Sequence, residues 1–289
     1  MRLRAGRREL ELGGPPLLMG VVNASPDSFS DAGDHPDLLA HASRLITQGA
    51  GVIDIGGESA VGGRPPVDAT EEIDRVVPLV GRITAAHDVL ISVDTYKPEV
   101  AEAAIGAGAG MINDVSGLRD ERLAEVCART GAALVLMHTR VAPKGTLLRP
   151  DAYDDVVEDV VGFLRERMEV AGGAGVAPEQ IVLDPGPDFA KTPAQTVAVL
   201  RRLDLLTALG RPLLLAISRK DFLGAITGRG PRERGAATLA ALDFGVRAGA
   251  AILRVHDVAA AADFLAVRAV LSGERELAPE EGLTPDRYP

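Results

Sequence analysis

Eight short apolar runs recur along the chain, and each is followed by polar residues capable of chemistry. The runs are spaced by roughly one strand plus one helix and comprise Leu17–Val22, Val52–Ile55, Val89–Val93, Met111–Ile112, Ala133–Met137, Ile181–Leu183, Leu213–Ile217 and Ala251–Leu253. Continuous apolar runs that alternate with helical stretches are typical of parallel strands buried on both faces. Eight of them predict an α/β fold of the (β/α)8 TIM-barrel type, with its active site at the carboxyl ends of the strands.

The stretches between these runs predict the helices and the domain organisation. Helices are expected over about 37–49, 70–87, 97–107, 120–130, 151–172, 193–209, 231–248 and 259–271. Glycines such as Gly131 and Gly249 follow these stretches, where they favour the end of a helix. Neither a linker nor a charge run divides the chain. We therefore expect one domain, with a lead-in over residues 1–14 closing the barrel bottom, the barrel over 15–272 and a tail over 273–289.

Composition and charge narrow the classes of function. The 289 residues are 46% hydrophobic, but only 3% are aromatic and Trp is absent, so the interior is expected to be aliphatic. A net charge of −10 argues against nucleic-acid binding, which needs a basic surface. Because no apolar run approaches the ~18 residues of a membrane span, we expect no membrane association and a cytoplasmic protein. Cys127 is the only cysteine, so neither a disulfide nor a zinc framework is expected.

Three polar residues at separate strand ends suggest a binding site for a small molecule. Individually, Asp94, Asn113 and Asp184 are of the types that cap the helix after a strand. Together, at one barrel mouth, they suit a flat heterocycle with several N–H donors, since a carboxylate accepts two parallel hydrogen bonds from a 2-amino-pyrimidinone edge. Lys220 would then bond to the carbonyl and ring nitrogen of that heterocycle; a lone lysine at a barrel end is alternatively a Schiff-base nucleophile.

The residues after the last apolar run indicate an anion site. Arg254 and His256 follow the eighth run, and the loops after strands seven and eight of such barrels frequently bind phosphate. A bridge from Arg254 to Asp257 or to a neighbouring helix is the simpler structural alternative. His138, Glu58 and Asp54 are of the types that bind a divalent metal, but their spacing matches no dedicated metal cage. A Mg²⁺ ion shared between one protein oxygen, with Asn23 as its candidate donor, and substrate phosphates fits better.

Eight segments of the chain resemble dihydropteroate synthase, in order and each at a predicted strand end. They are Asn23–Asp31, Ile53–Ser59, Ser92–Thr95, Ile112–Gly117, Leu136–His138, Leu183–Gly186 with Phe189–Lys191, Ser218–Lys220 and Arg254–Asp257. The resemblance covers residues 15 to 270 and implies a pterin-binding TIM barrel. It further implies a transferase of folate biosynthesis that condenses 6-hydroxymethyl-7,8-dihydropterin diphosphate with 4-aminobenzoate and releases pyrophosphate.

The resemblance also implies roles for individual residues. In that family the pterin lies on the residues matching Asp94, Asn113, Asp184 and Lys220, with Met137 against the ring. Asn23, Arg254 and His256 match residues that hold the diphosphate and Mg²⁺, Ser218 matches one near the aminobenzoate carboxylate, and Phe189 one that packs on its ring. Asp31, Lys220 and Arg254 are the candidate catalytic residues. The family is commonly homodimeric and is the target of sulfonamides.

Two loops depart from the family pattern. The second loop reads Glu-Ser-Thr-Arg-Pro-Gly in the family, whereas this chain has Glu58, Ser59, Ala60, Val61, Gly62 and Gly63, with Arg64 one position further on. Pro187 and Asp188 replace a smaller or aromatic pair. The pterin side is therefore intact by pattern and the aminobenzoate side is altered. Three functions stay open: a working synthase with a divergent aminobenzoate site, a pterin-diphosphate-binding paralogue without synthase activity, and a related transferase using another nucleophile.

Overall fold

The computed structural model describes residues 1–24, 37–58 and 66–278, and its main sheet is a parallel barrel. An antiparallel hairpin precedes it, formed by β1 (Arg2–Ala5) and β2 (Arg8–Glu11). The barrel strands are β3 (Leu17–Asn23), β4 (Val52–Gly56), β5 (Leu90–Asp94), β6 (Met111–Asp114), β7 (Ala133–Met137), β8 (Ile181–Asp184), β9 (Leu214–Leu215) and β10 (Ile252–Val255). Their order is β8-β7-β6-β5-β4-β3-β10-β9, and a parallel bridge between Leu183 and Leu213 closes the ring. The predicted single-domain TIM barrel is confirmed.

Alternation of side chains along the strands divides the barrel interior into layers. The lower layer is apolar: Met19, Val52, Leu90 and Met111 are buried together, and Leu3 of the hairpin packs into the same cluster. Successive side chains point to opposite faces of a strand, so every second residue points into the barrel. The residues two positions after the lower layer therefore form the next interior layer, closer to the mouth. Those positions include Asp54, Ser92 and Asn113, all buried. The interior therefore changes from an apolar floor to a polar layer over the length of one strand.

The helices cover the outside of the barrel. They are α1 (Leu38–Thr47), α2 (Ala69–Ala86), α3 (Pro98–Gly106), α4 (Arg122–Thr130), α5 (Val156–Gly173), α6 (Pro193–Leu200), α7 (Leu203–Thr207), α8 (Asp221–Thr227), α9 (Gly235–Arg247) and α10 (Val258–Leu271). Outward-facing strand residues such as Ile53 and Val93 pack against their apolar faces. Among the described helices, none has the length and apolarity to cross a membrane.

Several helix boundaries differ from the predicted ones. The stretch 151–172 becomes helical only at Val156, because the Asp155 side chain caps the backbone N–H groups of Val157 and Glu158. The stretch 193–209 is two helices, α6 and α7, and 231–248 opens with a 3₁₀ turn before α9 starts. Helix α8 was not predicted. Cys127 is buried, and burial raises its thiol pKa to about 12.

Candidate active site

The predicted site residues gather at the carboxyl ends of the barrel strands. Asp94, Met137 and Asp184 end β5, β7 and β8, and Asn113 lies one residue before the end of β6. Ser218 and Lys220 follow β9, while Arg254 lies in β10 and His256 directly after it. Since all these strands run in parallel, the side chains share one mouth.

Arg254 is held between two carboxylates inside the barrel. Its Nε donates to Oδ2 of Asp54 at 2.6 Å, and its Nη2 donates to Oδ2 of Asp94 at 3.0 Å. Asn113 also donates to Oδ2 of Asp54, at 3.1 Å. Asp257, by contrast, caps α10 through the N–H of Ala260. The alternative of an Arg254–Asp257 bridge is therefore wrong, since the guanidinium points into the polar layer.

Burial raises the pKa of two carboxylates at the mouth, Asp94 and Asp184. Desolvation raises the pKa of Asp94 to about 7; Arg254 opposes this rise, and the negative charge of Asp54 adds to it. Desolvation likewise raises the pKa of Asp184 to about 6, against the opposing effect of a 2.7 Å hydrogen bond from the N–H of Gly186. Within the described ranges, Oδ1 of the fully buried Asp54 has no hydrogen-bond partner. The layer thus offers acceptors to a ligand rich in N–H donors.

Lys220 and Phe189 form the opposite wall. The Lys220 ammonium lies 4.2 Å from the centre of the Phe189 ring, within the range of a cation–π contact. Desolvation lowers the Lys220 pKa, and the carboxylates of Asp188 and Asp184 oppose that change. Met137, at the end of β7, is almost fully buried. The backbone turns back at Gly186, where an added Cβ atom would clash with the His138 carbonyl oxygen. Only glycine fits this close approach.

His256 and Asn23 lie at the rim. The Ser218 hydroxyl is 3.0 Å from Nδ1 of His256. Although the His256 side chain has an exposed face, desolvation by the protein around it and the positive charges of Arg254, Arg219 and Lys220 lower its pKa to about 4. It is therefore neutral at pH 7. Asn23 is exposed at the end of β3, next to the end of β4.

Three residues that sequence reasoning considered as metal ligands have other partners. His138 is fully buried, with Nε2 2.9 Å from Asp159 and Nδ1 2.7 Å from the Lys191 ammonium. Glu58 accepts from Lys97 and Lys144, each at 2.5 Å. Asp54 binds Arg254, as described above. Within residues 1–24, 37–58 and 66–278, no three His, Cys, Asp or Glu side chains are grouped as a metal site.

Two functional residues were missed or undervalued. Lys191 appeared only as part of a motif, but it is 1% exposed and donates to the carbonyls of Gly186 and Phe189 as well as contacting His138. Asp54 was considered only as a metal ligand. A carboxylate inside an otherwise apolar strand was the signal that could have identified it. The remaining predicted residues, Asp31, Ser59, Ala60, Val61 and Arg64, lie outside the described residues.

Comparisons with known proteins agree with this geometry. The model of the family described as pterin binding enzyme matches residues 19–256. A dihydropteroate synthase of Bacillus subtilis is 44% identical over 246 residues, which is 84% of each chain. The chain belongs to the dihydropteroate synthase family. The predicted activity, transfer to give dihydropteroate with release of pyrophosphate, is that of the family, and the alternative of a binding paralogue finds no support.

Solved dihydropteroate synthases have the same fold. The enzyme of Xanthomonas albilineans with 4-aminobenzoic acid superimposes with a TM-score of 0.85 at 42% identity, covering 94% of this chain and 99% of that one. The same enzyme in complex with 7,8-dihydropteroate gives a TM-score of 0.84 with equal coverage and identity. This dihydropteroate synthase family member therefore shares the whole barrel with its relatives, including the strand ends that form the candidate site.

Proposed function

We propose that this chain condenses 6-hydroxymethyl-7,8-dihydropterin diphosphate with 4-aminobenzoate. The bond between the pterin methylene carbon and the diphosphate oxygen breaks, a bond from that carbon to the amine nitrogen forms, and the amine loses a proton. Pyrophosphate and 7,8-dihydropteroate leave. The observation that carries the proposal is the juxtaposition of a buried layer of acceptors with cationic side chains at one barrel mouth. The structures of the Xanthomonas enzyme with 4-aminobenzoic acid and with 7,8-dihydropteroate support these small-molecule substrates.

The pterin is assigned to the polar layer. Asp184 accepts from the N–H groups of the 2-amino-pyrimidinone edge, and Asp94 and Asn113 bind the remaining polar edge of the ring. Lys220 donates to the ring carbonyl. An electron-rich pterin supports positive charge at its exocyclic methylene, so the leaving group can depart before the amine attacks. Carboxylates around a developing cation stabilise it electrostatically, which gives Asp94 and Asp184 a second use.

The diphosphate is assigned to the mouth between the polar layer and the rim, with Arg254 of that layer and His256 of the rim as its partners. Mg²⁺ fits here through Asn23, because an exposed amide oxygen is a hard donor and because Mg²⁺ keeps most of its waters and binds substrate phosphates. When bound, the ion would neutralise the leaving group.

The aminobenzoate is assigned to the side of Phe189 and Ser218. The Phe189 ring stacks on the aromatic ring, and the Ser218 hydroxyl donates to the carboxylate. Asp31, Ser59, Ala60, Val61 and Arg64 are the further candidates from loops one and two. With the family arginine and threonine of loop two replaced, binding on this side is expected to differ from that of the relatives, and sulfonamide sensitivity with it.

A homodimer, a cytoplasmic location and the division into lead-in, barrel and tail stay predictions. Three neighbouring outer helices each leave large apolar side chains in solvent: Ile226 on α8, Phe244 on α9, and Val267 and Leu271 on α10. An exposed apolar surface of this kind fits a contact with a second copy of the chain.

The deciding experiment measures pyrophosphate release by the purified protein with Mg²⁺ and the pterin diphosphate, with and without 4-aminobenzoate. Release that depends on 4-aminobenzoate, together with chromatographic detection of 7,8-dihydropteroate, is the expected result. Tight pterin binding without such release would overturn the proposal. It would instead favour a related transferase that uses another nucleophile, or a binding paralogue without synthase activity.

A further inference from the structure

Asp188 has an unusual backbone and an unusual set of contacts. It lies in the loop after β8 with a φ of +62°, a left-handed conformation that few residues other than glycine, asparagine and aspartate adopt. Asp188 also departs from the family pattern, as do its neighbours Pro187 and Ala190, the latter in place of a usual glycine. A non-glycine residue persists in such a conformation where its surroundings hold it there.

Hydrogen bonds tie Asp188 to two helices. Its N–H donates to Oγ1 of Thr196 at 3.0 Å, and the Thr196 hydroxyl donates back to Oδ1 at 3.0 Å. Its second oxygen, Oδ2, accepts from the N–H of Phe222 at 3.2 Å. Thr196 belongs to α6 and Phe222 to the first turn of α8. Both carboxylate oxygens therefore join the loop after β8 to these helices.

The two segments joined in this way carry one wall of the candidate active site. Phe189 is the next residue after Asp188, and Lys220 precedes Phe222 by two residues. The Lys220 ammonium and the Phe189 ring are in contact at 4.2 Å, and this contact requires both segments to be in place. The negative charges of Asp188 and Asp184 also favour the charged form of Lys220 and so oppose the lowering of its pKa by desolvation.

We propose that Asp188 is a positioning residue that holds Phe189 against Lys220 and so couples the aminobenzoate side of the site to the pterin side. This inference rests on the proposed function, in which Lys220 donates to the pterin and Phe189 stacks on the aminobenzoate ring. Asp188, a residue that departs from the family pattern, would thereby order the aminobenzoate side of the site, which is the altered side.

The charges around Lys220 give the inference a measurable consequence. Lys220 is faced by the acidic Asp184, Asp188 and Asp221 and by the basic Arg254, Lys191 and His256. Desolvation already lowers the Lys220 pKa, and loss of the Asp188 charge lowers it further. A lysine that donates to the pterin would then lose its proton at lower pH. The alkaline limb of kcat/KM for the pterin diphosphate should therefore move to lower pH.

The test compares Asp188→Asn with two matched variants. Asparagine tolerates the left-handed backbone and keeps an oxygen for the Phe222 N–H, so the fold is expected to survive. Asp221→Asn removes the same charge from the residue next to Lys220, where the side chain is 82% exposed and paired with Arg234 instead of with the loop. Thr196→Val removes the hydroxyl that holds Asp188 without changing any charge. Circular dichroism and thermal melting check that all variants are folded.

For Asp188→Asn we expect KM for the pterin diphosphate to rise about tenfold, the typical loss for one charge-assisted hydrogen bond, with the alkaline limb at lower pH. Thr196→Val should raise KM for 4-aminobenzoate with an unchanged alkaline limb. Asp221→Asn should leave both KM values as in the wild type and move the alkaline limb less than Asp188→Asn does, because the exposed Asp221 carboxylate supports the Lys220 charge less than Asp188 does. Wild-type values for Asp188→Asn, or an equal shift for Asp221→Asn, would overturn the inference.

Failure of the proposed function is a separate outcome. If the wild type forms no dihydropteroate, calorimetric titration with the pterin diphosphate replaces the kinetic assay. A tenfold weaker affinity of Asp188→Asn relative to wild type and to Asp221→Asn would still support the positioning of Lys220. Equal affinities would overturn it.

Discussion

At the scale of single residues, the buried charges of the site differ in whether they already have partners within the protein. Arg254 forms ion pairs with Asp54 and Asp94. Among the described residues, the Asp184 carboxylate has one donor at hydrogen-bond distance, the backbone N–H of Gly186. A buried carboxylate with spare acceptor capacity favours a ligand that brings N–H donors. We therefore expect pterin recognition to depend most on Asp184.

Asp184→Ala is expected to weaken pterin binding about a hundredfold, because ligand N–H donors would be buried without an acceptor, at a cost of several kcal/mol. Calorimetric titration with the pterin diphosphate measures the effect. Ser218→Ala is the matched control: it removes a polar side chain from the aminobenzoate side, and pterin affinity should stay within a factor of a few. Normal pterin affinity of Asp184→Ala would mean that the pterin lies elsewhere.

The same residues show what a sequence can predict. Asp94, Asn113 and Asp184 were identified because a residue that ends a parallel strand necessarily faces the barrel mouth. Asp54 lies deeper, two residues before the end of β4, and its role depends on Arg254, 200 positions away in sequence. Nothing local specifies such a pairing. Residue type and strand position therefore predict where a side chain lies, whereas its partner emerges only from the closed barrel.

At the scale of elements, the loop after β8 is fixed by hydrogen bonds to its backbone. Lys191 donates to the carbonyls of Gly186 at 2.9 Å and Phe189 at 3.1 Å, and the Tyr153 hydroxyl donates to that of Ala190 at 2.8 Å. Asp188 and Ala190 both have left-handed backbones. Such conformations persist only when the surroundings over-determine them. Lys191 thus acts on the site by holding the loop that presents Phe189.

Lys191→Met is expected to lower the free energy of unfolding by about 2–4 kcal/mol, because two buried carbonyls and the His138 ring lose their donor. Its pH dependence is distinctive. Burial lowers the Lys191 pKa from 10.5 to about 7, so between these values the unfolded chain binds more protons and the wild type gains stability as pH rises. The variant lacks this gain.

Urea denaturation of both proteins at pH 7 and pH 9.5 tests this prediction. The stability difference between wild type and Lys191→Met should widen at the higher pH. Lys97→Met is the matched control, since the Lys97 pKa is raised by Glu58 and Glu72 despite desolvation, and its stabilising ion pairs persist to above pH 10.5. If the difference in unfolding free energy between wild type and Lys191→Met stays constant or narrows at pH 9.5, the result would contradict a Lys191 pKa lowered by burial.

Helix prediction succeeded where caps and periodicity coincide and failed where an element is short. Helix α10 begins one residue from its predicted start and ends at Leu271 as expected. Helix α8 has only seven residues, and the side chain of its N-cap residue, Lys220, makes no capping hydrogen bond, so no local signal marks its start. It forms because Phe222 and Leu223 are buried against the barrel. Tertiary packing, and not propensity, decides such elements.

At the scale of the whole molecule, the junction between β8 and β9 has the least strand pairing of the barrel. Strand β9 has two residues, and it meets β8 through one bridge and a 2.9 Å hydrogen bond from the N–H of Leu183 to the Pro212 carbonyl. The Asp188–Phe222 hydrogen bond spans the same junction at the mouth. Lys220 and Phe189 lie on opposite sides of it. Substrates that contact both residues would therefore also help to close the barrel.

The exposed apolar side chains on three outer helices bear on the assembly of the molecule. Leu271 is 82% exposed and Phe244 is 49% exposed, and the helices that carry them are linked by an ion pair between Asp243 and Arg268. If two copies meet on this face, Leu271→Asp places a charge in the contact and should convert a dimer to a monomer. A residue this exposed contributes little to the fold of one copy, so thermal stability of the monomer should change by less than about 0.5 kcal/mol.

Light scattering coupled to size-exclusion chromatography at micromolar concentration measures the mass directly. We expect about twice the 30.1 kDa chain mass for the wild type and the chain mass for Leu271→Asp. Leu148→Asp is the matched control, because Leu148 is 64% exposed but lies in the segment between β7 and α5, away from these helices. It should leave the dimer intact. A monomeric wild type, or a dimer that survives both Leu271→Asp and Phe244→Asp, would show that these side chains are merely exposed and that the assembly, if any, uses another surface.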